Sequence, residues 1–212
     1  MAYRKTARTE ARKAANRRHL VDTARAIVAE GGFQDLQIAT VAGVAGVATG
    51  TVYRYFPSKA ELGLEVYRRV CDREVEVAGE IARSDAGAAE RLEAAARAVA
   101  GRAVRGRKIA YALIAEPVHP ALDAERLVYR RALAAAFERI VADGIASGEF
   151  APQDPATAGA CIVGALMEAL VSPLAPDSGA LAGAGRPLLD AVAEFCLRSV
   201  GYRPEAAAAE LP

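Results

Sequence analysis

The segment from Phe33 to Leu62 constrains this chain more than any other. Phe33 leads into an Ala-rich helix near Ile38–Ala45, and Gly46 supplies a turn. A short helix, Thr49–Phe56, follows and stops at Pro57, because proline lacks the N–H that would continue it. Ser58-Lys59-Ala60-Glu61 then reads as a capping box, in which the Ser hydroxyl and the Glu carboxylate each satisfy an orphan backbone N–H. Short helix, tight turn, short helix and the capped start of a long helix make a helix-turn-helix. Val47, Val52 and Phe56 point inward, leaving Thr49, Gly50, Thr51, Tyr53 and Arg54 outside. A short helix with small and polar residues facing out and a basic residue just beyond its end suits a major groove.

The flanking sequence supports an all-α chain. Alanine, the best helix former, is abundant, and β-branched runs are scarce. A first helix is expected over Arg17–Glu30, where Leu20, Ala24, Ile27 and Val28 form one apolar stripe. Gly31-Gly32 should stop it in a left-handed cap. Residues 1–16 are polar and basic without apolar periodicity and read as a disordered arm. The helix launched at Ser58 should run to about Arg83 as a rigid lever. Further helices are expected near Ala88–Val104, Lys108–Ile114, Ala124–Ser147, Pro155–Leu170 and Gly185–Val200, with a loop over Ser172–Gly185. The domain reading is therefore an arm (1–16), a helix-turn-helix module (17–60), a helical body (61–203) and a flexible tail (204–212).

Charge divides along the same boundary. Residues 1–59 carry ten Lys/Arg against four Asp/Glu, and the remainder carries seventeen against twenty-two. A basic end on an acidic body suggests a nucleic-acid module joined to a part with another task. Cys71, Cys161 and Cys196 are widely spaced and show neither a disulfide framework nor a metal-ligand spacing. No apolar signal core opens the chain, and no uninterrupted run of 18 apolar residues occurs. The expectation is a cytoplasmic protein with no membrane segment, no cofactor and no metal. His119, with Glu116 and Asp123 nearby, is the one constellation that hints at catalysis. It lacks a second histidine or a nucleophile pattern, so a non-enzyme is expected.

The run Ile38-Ala39-Thr40-Val41-Ala42-Gly43-Val44-Ala45-Gly46-Val47-Ala48-Thr49-Gly50-Thr51-Val52-Tyr53-Arg54-Tyr55-Phe56-Pro57-Ser58-Lys59 closely resembles the tetracycline-repressor (TetR) family of bacterial transcriptional regulators. The resemblance covers about residues 17–70. It implies a homodimer with an N-terminal three-helix DNA-binding domain and a C-terminal helical domain for effector binding and dimerisation. Carried onto matching positions, Thr49, Gly50, Thr51, Tyr53 and Arg54 face the groove, while Tyr53, Tyr55 and Lys59 contact phosphate. Ala48 stands where Ser is commoner, which removes a side-chain N-cap worth roughly 1 kcal/mol. Ala39 and Thr40 carry less charge than many relatives, leaving more readout to the second helix of the motif. The chemistry agrees independently. Gly50 lets backbone approach DNA closely, threonine methyls suit thymine methyls, and Arg54 suits guanine O6 and N7. Tyrosine hydroxyls and Lys59 suit phosphates, which fix register.

In the body, the last two helices are expected to form an isologous dimer surface. Helix 155–170 offers Gly159, Val163, Leu166 and Leu170 with small Ala160, Gly164 and Ala165. The final helix offers Leu188, Leu189, Val192, Phe195, Cys196 and Val200. Candidate effector-pocket residues are Tyr67, Cys71, Tyr111, Tyr129, Phe137, Met167 and Glu168, the last an acid within an apolar run that needs a partner if buried. The expected function is a ligand-responsive homodimeric repressor of a pseudo-palindromic operator. The alternative is a helical small-molecule-binding protein with only non-specific DNA affinity, separable by the salt dependence and sequence preference of binding.

Overall fold

The computed structural model describes residues 7–178 and 185–203, and among these all regular structure is helical. The helices are α1 (Ala7–Gly31), α2 (Ile38–Val44), α3 (Thr49–Tyr53), α4 (Lys59–Ala82), α5 (Ala88–Arg105), α6 (Arg107–Ile114), α7 (Pro120–Ser147), α8 (Pro155–Leu174) and α9 (Gly185–Ser199). The expected tail, residues 1–6 of the expected arm and residues 179–184 of the expected loop between α8 and α9 lie outside the described residues.

Four boundaries differ from expectation by three residues or more: α3 ends at Tyr53 rather than Phe56, α7 begins at Pro120 rather than Ala124, and α1 and α8 are each longer than expected. Residues 7–16, read as part of a disordered arm, continue α1 toward the N-terminus. Residues 8–16 are all exposed, so this stretch has no apolar stripe to betray it. Its Ala, Arg, Glu and Lys are strong helix formers, and propensity extends a helix already anchored at Leu20, Val21 and Ala24. α8 runs on to Leu174 with Pro173 inside its last turn. Arg107 of α6 caps that end, donating to the carbonyls of Leu174, Ala175 and Ser178.

Start signals and stop signals act as local chemistry requires. Ser58 Oγ accepts the Glu61 N–H at 3.1 Å and starts α4. Asp154 does the same for α8 through the Thr157 N–H at 2.7 Å, with Pro155 in its first turn. Ala48 starts α3 and Gln37 starts α2 without any side-chain cap bond. Gly148, at φ 81°, ends α7.

Two cores meet along α4. The first joins Leu20, Val28, Phe33, Leu36, Val41, Val52 and Phe56 to Leu62, Val66 and Tyr67 of α4, and also takes in Leu113 of α6 and Leu122 of α7. The helix-turn-helix core therefore does not stop at residue 60. It continues into the body through α4 and the α6–α7 joint. The second core joins α5, α7, α8 and α9 around Leu92, Leu133, Phe137, Ile140, Leu166 and Cys196. α7 and α8 approach closely at Gly159, where an added Cβ would lie 2.7 Å from the Ala134 carbonyl oxygen. Gly159 thus serves packing within the chain, whereas a Cβ at Gly164 would meet nothing within 4 Å. α8 is long and apolar enough to cross a membrane by composition, but Ile162, Val163, Leu166, Met167 and Leu170 spend its apolar face on the core.

Candidate nucleic-acid interface and effector cavity

α3 is anchored by two residues on one side. Val52 and Phe56 are buried, Val47 is half-buried, and Gly46 at φ 66° makes the turn before them. On the other side Thr49, Gly50, Tyr53, Arg54 and Lys59 are exposed and Thr51 is half-buried. Tyr53 is 52% exposed, so much of a large amphipathic ring faces outward where a partner could cover it. A Cβ at Gly50 would touch nothing within 4 Å, so the front of α3 is open for backbone approach. Thr49, Gly50, Tyr53 and Arg54 are thus left accessible on α3 and at its end, and Thr51 less so.

Tyr55 lies differently. It is half-buried against the first core, and its hydroxyl accepts from Asn16 Nδ2 at 3.4 Å. Lys59 Nζ reaches back to the Gln34 carbonyl at 3.4 Å, a long bond that leaves the ammonium in solvent. Arg17 stacks over Phe56 at 5.0 Å and pairs with Glu65 at 2.6 Å, tying α1 to the end of the recognition segment and the start of α4. The Arg17 guanidinium holds the Glu65 carboxyl below the usual carboxylate range. Neither Asn16 nor Arg17 is among the expected site residues: Asn16 lies on the extension of α1 before Arg17, and the partners of Arg17, Phe56 and Glu65, are far from it in sequence.

Beyond the module, α4 carries Tyr67, Cys71 and Glu74 at i, i+4 and i+7 into the wall of a cavity of about 80 Å³. α7 contributes Arg126, Tyr129 and Arg130, and α8 contributes Met167 and Leu170. Of the expected pocket residues, Tyr67, Cys71, Tyr129 and Met167 come together here. The rings of Tyr67 and Tyr129 meet edge to face at 6.4 Å. Burial pushes the Cys71 thiol up to about 12 and raises both tyrosine hydroxyls above their ordinary value, so all three stay neutral near pH 7. Arg102 and Glu74 form a 2.7 Å ion pair in the wall.

The other three expected pocket residues lie elsewhere. Tyr111 lines a separate crevice with Gly32, Arg107 and Glu116. Phe137 is fully enclosed in the second core. Glu168 is exposed on α8, so it is not the buried carboxylate its apolar neighbours suggest. Sequence reading misses Glu74, Arg102, Arg126 and Arg130. The i, i+4, i+7 relation of Tyr67, Cys71 and Glu74 is a usable signal, as is the i, i+3, i+4 grouping of Arg126, Tyr129 and Arg130.

His119, Glu116 and Asp123 are each engaged in structure. His119 Nδ1 accepts the Ala121 N–H at 3.2 Å and caps α7. Asp123 pairs with Arg126 at 2.9 Å, and Glu116 accepts two backbone N–H groups.

Comparison with known proteins matches both halves of this architecture. Residues 20–66 match the family of bacterial regulatory proteins, tetR family, and residues 85–170 match a tetracyclin repressor-like C-terminal domain. Together these segments span more than half of the chain. The HTH-type transcriptional repressor KstR of Mycolicibacterium smegmatis is 42% identical over 57 residues, 27% of this chain and 28% of that protein. The chain thus aligns with little more than a quarter of that relative's length. In overall fold it is similar to the fatty acid degradation regulator FadR from Bacillus halodurans, with a TM-score of 0.75 and 20% identity, covering 89% of this chain and 97% of the other. It is likewise similar to FadR from Bacillus subtilis in complex with stearoyl-CoA, with a TM-score of 0.68 and 21% identity, covering 83% of this chain and 97% of the other. An exposed recognition helix at the end of a basic module, carried on a helical body with its own cavity and matched in both halves, places this chain in the TetR family of bacterial regulatory proteins.

Proposed function

We propose that this regulator is a cytoplasmic homodimeric repressor that binds a pseudo-palindromic operator and leaves it when a small molecule occupies the α4–α7–α8 cavity. One observation carries the reading: α4 belongs to both sites. Its first turns pack Leu62 and Val66 under the helix-turn-helix, and its middle turns present Tyr67, Cys71 and Glu74 to the cavity. A change in the cavity therefore acts on the helix that carries the DNA module.

Groove contacts are assigned to Thr49, Gly50, Thr51, Tyr53 and Arg54, and phosphate contacts to Tyr53 and Lys59. Tyr55 is assigned a contact through its hydroxyl, which Asn16 orients. The dimer surface is assigned to the outer faces of α8 and α9. Phe195 stays 49% exposed there and borders an apolar groove with Ala165, Ala169, Leu188 and Ala191. Val192, Cys196 and Val200 are already used in the chain's own core, so this surface is narrower than the expected one. His119, Glu116 and Asp123 hold structural bonds, which supports action by binding rather than catalysis.

The effector chemistry follows from the wall. Val70, Val99, Ile109, Leu113 and Leu170 make it apolar, and its neutral tyrosines and thiol offer hydrogen bonds. Three arginines against one glutamate leave it net cationic. An apolar molecule with an anionic group fits that pattern, and an acyl-CoA, the class bound in the Bacillus subtilis FadR structure, is the first to test. A cavity of about 80 Å³ holds only a few waters. A ligand of acyl-CoA size must therefore widen the cavity. Only a ligand that binds the wider state better than the closed one shifts the population. Fluorescence anisotropy of a cognate DNA duplex titrated with stearoyl-CoA checks this. Release at micromolar ligand is expected, and unchanged anisotropy at saturation contradicts the acyl-CoA assignment.

A further inference from the structure

Glu116 sits in the α6–α7 joint, but its carboxylate acts on the DNA module. Oε2 accepts the Phe33 N–H at 3.0 Å and Oε1 accepts the Gln34 N–H at 3.1 Å. The residue is only 7% exposed. Gly32, at φ 77°, leaves room for it, since a Cβ there would lie 2.6 Å from Oε2. One carboxylate thus fastens the α1–α2 turn to the end of α6 through two charge-assisted bonds. By contrast, the Lys108–Glu30 pair that also links α6 to α1 is exposed, at 3.2 Å, and such pairs are weak.

Arg126 holds the joint that holds Glu116. Its Nη2 donates to the Glu116 carbonyl at 2.6 Å and to the Ala112 carbonyl at 3.1 Å, and its Nε donates to the Leu113 carbonyl at 2.8 Å. These are carbonyls at and just past the end of α6, which lack partners inside the helix. Its Nη1 reaches Asp123 at 2.9 Å. The same guanidinium also lines the cavity.

We infer that Arg126 and Glu116 are positioning residues that couple the cavity to the DNA module by a second route, beside α4. An occupant that accepts hydrogen bonds from Arg126 takes them from the end of α6. The joint then relaxes, and the Glu116 carboxylate loosens its hold on Phe33 and Gln34. This rests on the reading of the cavity as the effector site. It adds the route and names residues that touch neither DNA nor the recognition helix.

Amide hydrogen exchange on the full-length protein, read at Phe33 and Gln34 relative to Val141 in the second core, tests the route without DNA or effector. Glu116→Gln replaces one acceptor with an N–H donor and is expected to speed exchange roughly tenfold relative to Val141 at the amide that faces the new donor, the scale of one lost bond to a charged group, and less at the other. Arg126→Gln is expected to speed exchange at both amides although Arg126 touches neither. Arg126→Lys restores charge without the planar fork and is expected to rescue only part of the protection. Arg68→Gln, which breaks the neighbouring α4–α7 pair with Glu125, is expected to leave the ratio unchanged. Parent-like protection in Arg126→Gln overturns the coupling, and so does acceleration shared equally by Val141. If the coupling holds but no cavity occupant releases DNA, the effector reading fails alone.

Discussion

At the scale of single residues, position relative to Val52 and Phe56 decides what each side chain of α3 is free to do. Those two are buried, which forces Thr49, Tyr53 and Arg54 to the opposite side. This is legible in the sequence because burial at i and i+4 fixes a helix face whatever the rest of the fold does. Tyr55 is less legible. Its half-burial and its bond to Asn16 arise beside an N-terminal extension of α1 that carries no apolar signal. The cavity residues divide in the same way. Tyr67, Cys71 and Tyr129 share a wall, but Phe137 and Glu168 cannot be sorted into core and surface without knowing how α7 and α8 rotate against each other. Substitution at the outward face should separate binding from folding. Tyr53→Ala and Lys59→Ala together should abolish operator binding in a gel-shift assay while leaving the circular dichroism spectrum and melting temperature at parent values. Lys59→Ala alone should lower the slope of log K against log salt by about 1 per half-site. Retention of full affinity in the double variant defeats the assignment.

At the scale of elements, the stops and starts are the readable part. Gly31-Gly32, Ser58 and Gly148 act by local backbone chemistry, and the helix ends they set lie close to where the sequence puts them, whereas α3 ends at Tyr53, before Pro57 is reached. Contacts between elements are not readable, because nothing local announces a partner many residues away. Glu149 illustrates this. It lies just past α7, yet its carboxylate accepts the N–H groups of Ala88 and Ala89 at 3.0 and 2.9 Å and so caps α5. Its carboxyl is lowered chiefly by the Ala89 backbone bond, with Ala88 and Ser147 contributing. Because the folded value lies below the unfolded one, the stabilisation is complete above the unfolded carboxylate pKa, about 4.3. It is lost as pH falls through the lower folded value. Glu149→Ala should therefore reduce stability by about 1 kcal/mol at pH 7, the usual worth of a helix cap. Urea unfolding should show the gap between variant and parent narrowing toward acid pH, below the unfolded carboxylate value. A gap that stays constant through that range contradicts the charged cap.

At the scale of the whole molecule, the module and the body are joined rather than merely adjacent. The first core runs from Leu20 and Phe56 in the module, through Leu62 and Val66 of α4, into Leu113 and Leu122 of the body. A division at residue 60 describes the sequence pattern well, but mechanically α4 and the α6–α7 joint belong to both parts. That continuity gives a cavity in the body a physical means to alter how recognition helices are presented. The proposed homodimer answers a separate need, since one five-residue helix reads too few bases to find an operator among competing sites.

Selection of bound duplexes from a random pool by the full-length protein tests the central claim most directly. Enrichment of a pseudo-palindrome with half-sites about 34–36 Å apart, or a multiple of that spacing, is the predicted result. The same selection with Tyr53→Ala and Lys59→Ala together should enrich nothing. Binding that falls steeply with salt but favours no sequence, or an enriched site without two-fold symmetry, contradicts the account.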